Sequence, residues 1–83
     1  MIKNLNETVE MMNSSDYKER FKAEYYQLEY RYEKLKKMLD DWDNDKLSFT
    51  PTCDRDIYNT QIVSMGVYLN VLRQRAEIEG IEL

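Results

Sequence analysis

The chain has 83 residues, enough for one small domain, with 12 basic against 16 acidic side chains and a net charge of −4. That balance argues against direct nucleic-acid binding, which favours a basic excess, and no apolar run approaches the roughly 18 residues of a membrane span. With no histidine and a single cysteine, the commonest general base, the commonest metal ligand and any internal disulfide are all excluded.

The first fifteen residues form a unit of their own. Ile2, Leu5, Val9 and Met12 follow steps of 3, 4 and 3, which suits a short amphipathic helix docked on the rest. Asn4, Asn6 and Asn13 favour instead a frayed arm. The acidic residues here and the lack of a long apolar stretch do not fit a signal peptide. The expected location is the cytoplasm.

Residues 16–83 read as a helical hairpin. The apolar stripe Phe21, Tyr25, Leu28, Tyr32, Leu35, Leu39, Trp42 steps alternately by 4 and 3, one face of a long helix. Asp16, with Glu19 three residues on, makes a start signal of the capping-box kind. The predicted helix runs from about Tyr17 to Trp42 or Asn44. A second stripe, Tyr58, Ile62, Met65, Leu69, Leu72, Ala76, has the same spacing. Thr52 or Asp54 can cap its start and Gly80 its end. "SFTPTCDRD" (Ser48–Asp56) therefore becomes the connection, with Pro51 forbidding continued helix and Phe49 and Cys53 expected to bury against the hairpin's end. Two helices, each about 40 Å long, fold back antiparallel.

Thirteen stripe side chains make a thin core for helices of this length. Off the main stripes lie Tyr26 and Tyr30 on the first helix and Val63, Val67 and Val71 on the second. The expected fold is all-α, a coiled-coil-like hairpin assembling with copies of itself into a homo-oligomeric bundle.

Few residues carry chemistry. Asp41, Asp43 and Asp45 open like a calcium loop, but Lys46 stands where its glycine belongs and Thr52 where its glutamate belongs. A solvated helix end is the simpler reading, and no metal is expected. Cys53 sits at a helix start, yet no histidine can serve as its base and Asp54 disfavours a thiolate. No catalytic residue and no cofactor is predicted.

A stripe of Asn59, Val63, Gly66, Asn70 and Arg73 crosses the second helix. Gly66 in mid-helix costs about 1 kcal/mol against alanine. Close approach of another helix explains it, and so does close approach of a ligand. Tyrosines beside arginines can stack bases and hold phosphates. The candidate ligand-binding set is Tyr26, Tyr30, Arg31, Arg55, Asn59, Gly66, Asn70 and Arg73. Tyrosines at an oligomer interface are the competing reading.

The stretches "YKER" (Tyr17–Arg20), "FTPTC" (Phe49–Cys53), "MGVYL" (Met65–Leu69) and "RAEIEGI" (Arg75–Ile81) resemble a family of small gut-bacteriophage proteins related to a crAss-like phage protein. The resemblance runs from about Tyr17 to the C-terminus and brings no catalytic motif. In size, hairpin form and lack of catalytic groups the chain also resembles the anti-CBASS and anti-Thoeris sponges of phages. These oligomerise and hold nucleotide immune signals between subunits. The resemblance implies a phage anti-defence protein that sequesters a cyclic nucleotide or ADP-ribose derivative without cleaving it. Two other readings stand beside it: an acidic module that inhibits a host protein, and a phage structural or assembly protein.

Overall fold

Asp16 starts the first long helix. Its backbone is extended (φ −82°, ψ 119°) and its carboxylate accepts the Lys18 N–H at 2.9 Å, satisfying one of the free donors of the first turn. Glu19 does not close a capping box; it pairs with Lys22 instead. The computed structural model describes residues 2–83, and among these residues every regular element is helical. A 3₁₀ turn over Leu5–Thr8 runs into the short α1 (Val9–Met12). The two long helices are α2 (Tyr17–Asp43) and α3 (Arg55–Glu79). None of them is long and apolar enough to cross a membrane.

The end of α2 lies in its run of aspartates. Asn44 donates its side-chain amide to the Asp40 carbonyl at 2.7 Å, and Asp45 takes the left-handed conformation (φ 56°). Short polar side chains tolerate that region because they bond locally. Lys46 N–H then reaches back to the Asp41 carbonyl at 2.7 Å. At the other end of the pair, Gly80 (φ 70°) turns the chain out of α3, and Ile81 N–H reaches the Ala76 carbonyl at 2.8 Å. Ile81 thereby folds into the core, a position outside both heptad stripes.

α3 runs back along α2. Tyr17 meets Glu79, Tyr25 meets Arg73, Tyr32 lies beside Gly66 and Asp43 meets Arg55. The tight core gathers at the Tyr17 end: Phe21 and Tyr25 from α2, Leu69, Leu72 and Ala76 from α3, and Ile81. Towards the connection the packing thins. Tyr58, Ile62 and Met65 are only half-buried, and an edge-to-face contact of Trp42 with Tyr58, 6.0 Å between centroids, closes that end. Phe49 and Cys53 do not bury there as expected; both are exposed, and a cleft stands between the connection and the helix ends.

The N-terminal segment docks on the face of α2 turned away from α3. Ala23, buried there, lets it approach. Thr8 is buried, donates to the Leu5 carbonyl (2.7 Å) and accepts from the Gln27 amide (2.9 Å). The asparagines that argued for a frayed arm act locally: the Asn4 N–H donates to Glu7, and Asn13 donates to the Val9 carbonyl. The docked face is Leu5, Thr8 and Met11. Val9 and Met12, expected to face inward, are exposed, since the 3₁₀ turn shifts the phase of the following residues.

Candidate ligand-binding groove

The connection and the two helix ends beside it enclose a cleft of about 530 Å³, walled by Trp42, Leu47, Phe49, Pro51, Cys53 and Arg55 among others. Arg55 is the cation in its wall, beside the carboxylates of Asp45 and Asp54, and its guanidinium is already engaged. Its guanidinium grips Asp43 through both nitrogens (2.6 and 3.1 Å), donates to Asn59 from Nε (3.0 Å) and lies over the Trp42 ring (5.1 Å). Those hydrogen bonds hold the Asp43 carboxyl below the ordinary carboxylate range and raise the guanidinium. The pair is open to solvent, so screening leaves it little net effect on stability. An anion reaching Arg55 must displace Asp43.

A second polar cluster lies halfway along the helices. The Tyr25 hydroxyl donates to Glu29 Oε2 and accepts from Arg73 Nε, both at 3.0 Å. Arg73 also lies over the Tyr25 ring, 5.7 Å from its centre. Burial pushes the phenol up, and its hydrogen bond raises the guanidinium. The other oxygen of Glu29 is buried without a partner. Arg73 is exposed, and its two terminal nitrogens make no hydrogen bond among the described residues. It is therefore the better placed of the two arginines to receive an anion. Asn70 stands exposed one turn away, and Tyr26 meets Tyr25 edge-on at 5.5 Å.

Helical spacing lays Arg55, Asn59, Gly66, Asn70 and Arg73 along one flank of α3. Tyr26 joins them from α2. The other two candidates stand apart. Tyr30 faces the N-terminal segment, its ring under the Lys34 ammonium (5.4 Å), in a hollow of about 320 Å³ shared with Ile2, Glu33 and Lys37. Arg31 is exposed, and helical periodicity puts it on the flank opposite Arg73. Within one chain, the eight residues do not make one site. Tyr25 and Trp42, read as core, prove to be the rings beneath the two arginines. Glu29 escaped notice, though its place four residues after Tyr25 puts both on one helix face.

The family model for Sequestin matches residues 15–78. The chain belongs to the Sequestin family. The Sequestin match takes in all of α2, the connection and nearly all of α3, and so all eight candidate residues; the docked segment before α2 lies outside it. No curated protein and no solved structure matches the chain.

Proposed function

We propose that this chain is a phage anti-defence protein that binds a small nucleotide immune signal, a cyclic nucleotide or an ADP-ribose derivative, and sequesters it uncleaved. The carrying observation is membership of a family whose name denotes sequestering, over the two helices that hold the candidate groove. The geometry supports an anionic, aromatic ligand. Arg73 offers free guanidinium nitrogens, Asn70 a neighbouring amide, Tyr26 a ring for stacking, and Gly66 a bare stretch of backbone. Nothing in the groove pairs a nucleophile with a base, and Cys53 lies in the connection beside Asp54. In this reading the chains are hairpins assembled as homo-oligomers in the host cytoplasm, and the pocket is completed between subunits. That arrangement accounts for candidates scattered over a single chain.

Native mass spectrometry and calorimetry against a panel of cyclic nucleotides and ADP-ribose derivatives test the proposal. The expected result is one ligand held at fixed stoichiometry and recovered unchanged in mass. R73A is expected to weaken that binding at least about tenfold, the scale of one charge-assisted contact. Absence of binding across the panel, or recovery of a cleaved product, refutes it.

A further inference from the structure

The net charge of the chain sits at one end of the helix pair. Residues 40–56, which close α2, form the connection and open α3, hold six aspartates against Lys46 and Arg55. Their net charge of −4 equals that of the whole chain, because the remaining residues carry ten acidic and ten basic side chains. The same end exposes apolar surface. Phe49 is 54% exposed, and with Trp42, Leu47 and Pro51 it walls the cleft of about 530 Å³. That volume falls in the range of built binding sites, about 300–1,000 Å³.

The charged groups of the cleft are unequally engaged. Arg55 is taken up by Asp43, Asn59 and the Trp42 ring. Asp45 and Asp54, in the same wall, pair with no cation among the described residues. Asp54 stands at the N-cap of α3, where an aspartate ordinarily accepts from the first turn, yet its side chain makes no cap hydrogen bond. Lys46 does not line the cleft. An apolar hollow thus lies between two carboxylates that the fold leaves unused.

We infer that this cleft docks a basic segment of a partner protein, an apolar or aromatic side chain entering against Trp42 and Phe49 while flanking lysines or arginines meet Asp45 and Asp54. Charge complementarity selects this occupant. Nucleic acid, an anionic membrane and a nucleotide would each bring negative charge to an end that already carries −4, and so would the same end of a second copy. An apolar segment without cations would leave the two carboxylates unanswered. Exposed aromatic rings inside a charged rim also have the anatomy of an interface centre. The inference does not rest on the sequestering reading. Arg73 stands eighteen residues beyond Arg55, about 27 Å further along α3.

Trp42 is the sole tryptophan, so its emission and its indole N–H resonance report on the cleft directly. The probe is the blocked pentapeptide Lys-Arg-Phe-Arg-Lys, titrated to millimolar concentration into the full chain. Saturable shifts of both Trp42 signals are expected. The Lys-Arg-Ala-Arg-Lys control should bind at least about tenfold more weakly, and Glu-Glu-Phe-Glu-Glu should not bind. Raising salt from about 50 to 500 mM should weaken the parent interaction. F49A and the double variant D45N D54N are each expected to lose at least about tenfold in affinity. Both should stay helical by circular dichroism, since Phe49 is exposed and asparagine accepts the φ of 56° at position 45. The peptide series on the parent chain stands independently of these variants. Equal binding of the phenylalanine and alanine peptides, binding of the acidic peptide, or no Trp42 shift at all overturns the inference. A Trp42 shift on concentrating the chain alone would assign the cleft to a second copy and overturn it as well.

Discussion

Gly66 shows how a single residue was legible in sequence and how its reason was not. Mid-helix glycine signals that something approaches. The structure supplies only Tyr32, whose Cε1 would lie 3.5 Å from an added Cβ, an ordinary contact. The α2–α3 packing therefore does not require the glycine. G66A is expected to raise the thermal midpoint, because removing the helix penalty gains about 1 kcal/mol, or roughly 4–8 °C for a domain of this size. The same substitution should weaken ligand binding, since the methyl takes up space beside Tyr32 that the proposed ligand would use. A calorimetric scan and a titration on the same variant check both halves, and a destabilised G66A would mean that α2 does use the space. Arg55 carries the opposite lesson. As a residue type it suited an anion, and only the three-dimensional closeness of Asp43, twelve positions away, shows it already engaged.

At the scale of elements, periodicity placed both long helices to within a residue or two, because an apolar stripe every three or four residues has few other uses. The connection was less legible. Pro51 located it, but nothing local decides whether Phe49 turns in or out. Tyrosines join the helices along their length: Tyr17 donates to Glu79, Tyr68 to Glu24, and Tyr25 accepts from Arg73. All three phenols are shifted upward, Tyr17 by its hydrogen bond to Glu79, Tyr25 by burial, and Tyr68 by its hydrogen bond to Glu24. A raised pKa means that the folded chain holds the proton more tightly than the unfolded one. The stabilisation is complete below the unfolded value near 10 and is lost as pH rises through the folded values. Thermal melts should therefore stay level to about pH 9 and fall above pH 10. Y17F and Y68F together should flatten that fall, and an unchanged alkaline slope in the double variant would show that these contacts do not join the helices in solution.

At the scale of the molecule, the helix pair is long and thin, 43 × 24 × 18 Å, with its tight core at one end. The thirteen stripe residues announced that thin core in the sequence. The groove was legible as a list of residues but not as a place, since positions along one helix carry no record of which flank of its neighbour they meet. Two-state dimers gain stability with concentration. If the chains associate as proposed, a tenfold rise in protein concentration should raise the melting midpoint of the parent chain by a few degrees. A parent midpoint independent of concentration would place all of its stability within one chain.

The docked segment ahead of α2 has a consequence for how far assembly can go. A helix pair bare on both sides could add copies on either side and grow into a filament, as heterologous contacts do when they fail to close. Here Thr8 and its neighbours already occupy the back of α2, fixed there by the Gln27 amide. In the proposed assembly the outer side of α3 is the side left to offer, and the N-terminal turn limits the directions in which copies can add.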